Sequence, residues 1–289
     1  MTLKRILEDV DLLEPMAPSA HRVLQIAGDP KSAVTDLVEV IQYDQAITAN
    51  LLRICNSAGV GLCREIHSVK QAAAYLGMEK VACLVMLGHS SANLRKAQEG
   101  YDLLEGELWR HSVASALISQ DLAEKRVPKM VPLLFTAALL KDIGKVVLSR
   151  YVKDLFQEII AEVREGRLSF VEAEKKILGI DHAELGGRIV ERWRFNETLA
   201  DLIRNHHTPD KASPQDVSLP IVYLGDCICM MLGIGLGSDG LAYRYYAQAA
   251  DRLHFTEADW QRSMIGLREK LATVEALVGL AKEERIHGV

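Results

Sequence analysis

Six side chains in this sequence could together hold a divalent cation: His111, Asp142, His182, His206, His207 and Asp226. Neutral imidazole and carboxylate are nitrogen and oxygen donors suited to iron, zinc or manganese. The six lie far apart in the chain, so only folding can gather them. Helical periodicity turns most of them inward. His111 shares a face with Ala114, Ser115, Ile118 and Leu122. His182 aligns with Leu185, Gly186 and Ile189, and His206 with Leu199, Leu202 and Ile203. Asp226 stacks with Leu219, Val222, Tyr223 and Met230. Asp142 closes the apolar run VPLLFTAALL within LLKDIGK, next to Gly144, which is read as a helix breaker. An acid on so apolar a face is costly unless something pairs with it. Four helices therefore aim a histidine or an acid at a buried side.

Each residue also has a plainer reading. A single inward histidine is more often a hydrogen-bonded core residue than a ligand. Asp142 can accept from Lys141 or Lys145, and Asp226 can pair with a buried histidine. His207 lies about a third of a turn from His206, which suits a solvated helix end. Only the coincidence of so many inward ionisable groups points to a shared site. Weaker signals lie elsewhere. GIGLGSDG, residues 233 to 240, has the composition of a phosphate loop, but it follows a helix and lacks the Gly-Lys-Ser/Thr ending, so it reads as a connection. Cys227 and Cys229 point to different sides of a helix and suit packing. No Ser/His/Asp signature or nucleophile stands out.

The elements that must position these residues are helical. Apolar residues recur at helical spacing along almost the whole chain, with no run of period-two strands. Ser19, Ser32, Asp44, Ser68 and Asn196 are candidate helix starts, and Ser169 with Glu172 and Asp181 with Glu184 read as capping boxes. Residues 256 to 282 read as two further helices. The polar, Gly-bounded stretch from Lys96 to Gly106 reads as a hinge between residues 1–98, a helical bundle, and residues 99–289.

Composition narrows the class. Of 289 residues, 49% are hydrophobic and 25% charged, as in an ordinary globular protein. The 34 basic against 39 acidic residues argue against a broad nucleic-acid surface. No apolar run approaches a membrane span. Five cysteines (Cys55, Cys63, Cys83, Cys227 and Cys229) without a CxxC pair, and a charged N-terminus, predict reduced thiols and a cytoplasmic protein.

The segments YDQAITANLLRICNSAG, IHSVKQAAAYLGMEKV, LWRHSVASA, LLKDIGKVVL, DHAELGGRIVERW and RNHHTP, in this order, resemble the HDOD domain, the signalling branch of the HD superfamily. The resemblance implies an all-α module, an N-terminal helical bundle followed by an HD-like helical domain. It also implies a bacterial signalling protein that acts on a protein partner without catalysis. The alternative is a metal-dependent phosphohydrolase acting on a nucleotide or phosphate ester, in which Lys145 steadies the phosphate. Related HD and HD-GYP enzymes hold metal with a His, a His-Asp doublet, further histidines and a final Asp. Here the doublet is Lys141-Asp142, and an ammonium cannot ligate a cation. One family ion site, His111, position 141, Asp142 and Asp226, thus loses a ligand, and the Lys141 ammonium, if its flexible stem turns toward that site, replaces the missing ion and pairs with Asp226 and Asp142. The other, Asp142, His182, His206 and His207, is complete for one iron, manganese or zinc ion. The segment TPDKASPQD replaces the GYP signature, which disfavours cleavage of cyclic di-GMP. The resemblance leaves open whether a receiver domain precedes this sequence.

Overall fold

The computed structural model describes residues 3–13, 16–56 and 65–283. Cys63 lies outside the described residues. The protein is all-α, and among the described residues there is no strand beyond an isolated bridge between Gln98 and Leu103.

The N-terminal bundle comprises α1 (Leu3–Asp9), α2 (Pro18–Gly28), α3 (Val34–Gln42), α4 (Gln45–Cys55), α5 (Val69–Leu76) and α6 (Met78–Leu94). Its caps follow local chemistry. The Asp44 side chain accepts from Ile47 N and the Ser68 hydroxyl from Gln71 N, satisfying donors that a helix start leaves open. Ser19 is not a cap: α2 starts at Pro18, and the Ser19 hydroxyl donates to Asp44 instead. Nor is Ser32, since α3 starts two residues later with Ala33 at its cap position.

The second part comprises α7 (Glu107–Arg126), α8 (Val131–Leu140), α9 (Ile143–Asp154), α10 (Phe156–Gly166), α11 (Phe170–Leu178), α12 (His182–Arg192), α13 (Glu197–Arg204), α14 (Ser218–Met231), α15 (Ala247–Arg252) and α16 (Glu257–Glu283). The span 256–282 is thus one helix rather than two. Helix α8 is apolar all round and buried at nearly every position, as a central helix must be. Helices α7, α13 and α14 surround it, and α2 and α6 of the N-terminal bundle pack on it too. Apolar contacts therefore run without a break through both parts.

The stretch read as a hinge is anchored. A short 3-10 turn (Glu99–Tyr101) lies on α9, with Tyr101 and Leu103 buried. Gly100 N donates to Ser149 Oγ at 3.1 Å, and Gly106 N donates to Arg95 O at 2.8 Å.

Candidate metal centre

Two close helix crossings assemble the site. Gly144 does not break a helix: the chain turns at Lys141 and Asp142, and Gly144 lies in the first turn of α9. Its task is contact. A Cβ at Gly144 would fall 2.0 Å from the carbonyl oxygen of His182, so only glycine lets α9 press so closely on the start of α12. That contact brings Asp142 to His182. On the other side, a Cβ at Gly225 would fall 2.9 Å from Ser115 O and 2.4 Å from Ser119 Oγ. The resulting approach of α14 to α7 sets Asp226 beside His111.

His111, Lys141, Asp142, Asp226, His182 and His206 are all buried, and His207 is half-buried. The candidate ligands divide into two groups that share Asp142.

In the first group, His111, Asp142 and Asp226 converge on the ammonium of Lys141. Its Nζ lies 3.0 Å from His111 Nε2 and 2.6 Å from Asp226 Oδ1, and it donates to Asp142 Oδ2. His111 Nδ1 donates to Ile234 O at 2.8 Å, which fixes the ring with Nε2 turned to the triad. The ammonium thus has two carboxylates and an imidazole nitrogen around its three protons. His111 Nε2 also lies within hydrogen-bond reach of Asp226 Oδ1, at 2.8 Å. Tyr243 donates to the other Asp226 oxygen, Oδ2, at 2.7 Å. Burial alone would raise both aspartates, but Lys141 holds Asp142 and Asp226 well below the usual carboxylate range. Burial likewise works against the charge on Lys141, and the two aspartates outweigh it, raising its pKa.

In the second group, one ligand atom each from Asp142, His182, His206 and His207 lies within 4.8 Å of the others. His182 Nε2 is 3.5 Å, and His206 Nε2 3.9 Å, from Asp142 Oδ1. His182 Nε2 and His207 Nε2 are 2.9 Å apart. His206 donates from Nδ1 to Ile203 O at 2.7 Å, so its Nε2 carries the lone pair. That Nε2, and Asp142 Oδ1, are buried without a hydrogen bond of proper geometry, although Lys145 Nζ is 2.9 Å from Oδ1. Buried acceptors left open in this way fit a cation. Burial pushes the His206 pKa down to about 3 and holds His207 well below the imidazole range, so both keep a lone pair to offer. His182 goes the other way. Burial lowers its pKa, but the charge and hydrogen bond of Glu174 prevail and raise it.

Sequence reasoning missed four groups that touch the site. Buried Glu174 accepts from His182 Nδ1 at 2.8 Å, from His182 N at 3.0 Å and from Tyr101 Oη at 2.6 Å. Tyr243 ties Asp226 to His207, its ring centroid 5.5 Å from that imidazole. Asp239, in the GIGLGSDG loop, reaches Lys145 Nζ at 2.7 Å. Glu174 was detectable: it follows Phe170 and Ala173 on the stripe that ends at Leu178, an acid on an apolar face like Asp226. The expected box at Asp181 is only half formed. Asp181 accepts from Glu184 N at 2.7 Å, but the Glu184 carboxylate turns to Lys175 and Arg188.

Lys145 does not present a free cation. It is buried between Asp142 and Asp239, with Tyr101 5.6 Å away, so an anion there has to displace Asp239.

The HDOD domain family model matches residues 13–209. Three solved structures share the fold. An HDOD domain protein with unknown function from Geobacter sulfurreducens is 22% identical, with a TM-score of 0.73 over 95% of this chain and 96% of that one. A candidate phosphohydrolase from Shewanella amazonensis is 23% identical, with a TM-score of 0.68 over 94% of this chain and 97% of that one. A candidate signal transduction protein from Marinobacter aquaeolei is 22% identical, with a TM-score of 0.73 over 94% of this chain and 60% of that one. A curated, uncharacterized protein of Treponema pallidum is 22% identical over 195 residues, which are 67% of this chain and 37% of the relative, so the chain spans little more than a third of that protein.

Proposed function

The chain belongs to the HDOD family, and from that premise we propose a regulatory module of bacterial signal transduction, non-catalytic, that acts on a partner protein and holds one divalent cation. One observation carries this reading: the Lys141 ammonium occupies the centre of the His111, Asp142 and Asp226 triad. Two-ion phosphoryl chemistry needs a second cation that can take up water or phosphate oxygen. An ammonium supplies charge but no open coordination position. Asp142, His182, His206 and His207 would hold the remaining cation, an iron, manganese or zinc ion. When bound, it would supply Lewis acidity and join α9, α12 and the end of α13. The open acceptors on Asp142 and His206 support this.

A phosphohydrolase is the second reading, favoured by the complete set of three imidazoles and a carboxylate. Two measurements separate them. Elemental analysis of protein purified without chelator should find close to one transition ion per chain, lost in His206→Ala. Hydrolysis of generic phosphodiesters and of cyclic di-GMP, with manganese, iron or magnesium added, should be negligible. Turnover on the order of 1 per second or more, abolished by Asp142→Ala, would establish the enzyme instead.

A further inference from the structure

Tyr101 is fully buried at the site, yet it belongs to the segment that joins the two parts of the chain. It touches three groups of the centre. Its hydroxyl donates to Glu174 Oε1 at 2.6 Å, its ring lies 5.6 Å from Lys145 Nζ, and its ring meets His182 edge-on at 6.2 Å between centroids. Glu174 passes the contact on: its Oε2 accepts from both Nδ1 and the backbone N of His182. An imidazole that donates Nδ1–H to a carboxylate keeps its lone pair on Nε2, with its ring orientation fixed. That Nε2 is the atom 3.5 Å from Asp142 Oδ1. The other end of the relay is equally fixed. A Cβ at Gly100 would fall 1.9 Å from Ser149 O, so the connector sits hard against α9, the helix that Asp142 begins.

We propose that Tyr101 is a positioning residue: through Glu174 it holds His182 in the Nδ1–H tautomer with Nε2 turned to the cation site, so that the 98–106 connector and the cation site are coupled. The inference rests on the single-cation reading above. Linkage makes the coupling reciprocal. Whatever settles the connector on α9 tightens the cation, and the cation settles the connector.

Two readouts test it on the full chain, with zinc as the probe. The first needs no metal. In histidine-labelled protein treated with chelator, the imidazole nitrogen spectrum, assigned with His182→Asn, should show His182 protonated at Nδ1. Tyr101→Phe and Glu174→Gln, both near-isosteric, should loosen or mix that state. The second is zinc affinity by chelator competition. Glu174→Gln should weaken it about 10- to 100-fold, as loss of a carboxylate behind a ligating histidine does. Tyr101→Phe should weaken it about 2- to 12-fold, the worth of one hydrogen bond. Zinc should also slow amide exchange at Gly100, Tyr101 and Leu103 in the wild type, but not in Glu174→Gln. If wild-type protein binds zinc and both variants match it in affinity and spectrum, Tyr101 and Glu174 are mere packing and the inference is wrong. Wild-type protein that takes up no zinc overturns the cation reading and the coupling with it. The chelated spectrum then still decides whether Tyr101 holds the ring.

Discussion

Replacing Lys141 by methionine keeps most of the side-chain volume and removes the charge. What is left is Asp142 and Asp226, both buried, with Lys145 still beside Asp142 and Tyr243 beside Asp226 but no cation between the two carboxylates. Breaking a buried ion pair from one side costs about 3–5 kcal/mol, because the surviving charge is stranded. For 289 residues, an unfolding entropy near 2.1 cal/mol/K per residue turns this into a fall of about 5–8 °C in Tm. The assay is thermal unfolding in chelator, read by circular dichroism. Manganese or zinc should then recover part of the loss, since a cation can enter the vacated triad, and an ion at a hundred times its Kd returns about 2.7 kcal/mol. Lys141→His should go further and raise the ion count from one towards two. A Lys141→Met protein that melts with the wild type in chelator and ignores added ions would refute the reasoning: the ammonium would then not be what neutralises the aspartates.

Two further outcomes follow from the site. In chelated protein, stability should fall as pH drops below about 6.5. His206 and His207 have folded pKa values below the ordinary one, so the unfolded chain takes up those protons first; the stability they give is complete above about 6.5 and drains as pH falls towards the folded value, about 3 for His206. Each contributes a slope of up to about 1.4 kcal/mol per pH unit. His182, with its raised pKa, acts in the opposite sense, giving stability at low pH that is lost as pH rises through its folded value. His206→Gln should flatten the profile between pH 6.5 and 4, measured by denaturant unfolding, and an unchanged slope counts against a buried neutral His206. Gly144→Ala should destabilise by about 1–3 kcal/mol or more, because the atom it meets is the backbone oxygen of His182 and cannot swing aside. A Gly144→Ala chain with unaltered denaturant midpoint and zinc affinity would show that α9 and α12 separate freely.

The all-α architecture and the inward faces of His111, His182, His206 and Asp226 were legible because helical periodicity is local. Asp44, Ser68, Ser169 and Asn196 cap as their residue types suggest. What failed was non-local. Gly144 reads as a breaker in isolation, but its meaning comes from a carbonyl on another helix. The polar composition of residues 96 to 106 suggests freedom, whereas Tyr101 and Gly100 are held by Glu174 and Ser149. Lys141 is visibly beside Asp142 in the chain. Its ammonium turns into the first site and pairs with Asp142 and Asp226, the arrangement expected of a lysine that replaces an ion there; which way it turns depends on α7 and α14, and no spacing along the chain encodes that. Glu174 meets the same test as Asp226, an acid on an apolar stripe with Phe170, Ala173 and Leu178; its partner His182 lies on another helix. Asp239 lies in a glycine-rich loop whose composition says nothing of the lysine it meets.

Charge gives a reason for one cation that is independent of ligand geometry. Four carboxylates, of Asp142, Glu174, Asp226 and Asp239, gather around two ammoniums, of Lys141 and Lys145. His206 and His207 are kept neutral by burial and add nothing. These six charged groups leave two negative charges inside a poorly solvated pocket, where an uncompensated charge is expensive. A proton on His182, whose pKa Glu174 raises, can cancel one of them. One divalent cation would cancel both, and it would displace that proton. Two divalent cations beside an intact Lys141 would overshoot by two positive charges. On the one-cation reading the lysine would set the ion count twice over: it fills the first site sterically, and its charge would lower the electrostatic demand for a second ion. By the same count, a neutral residue at position 141 deepens the deficit to three, which one divalent cation no longer closes, so the second site gains its affinity from the loss of the ammonium as much as from the space it leaves.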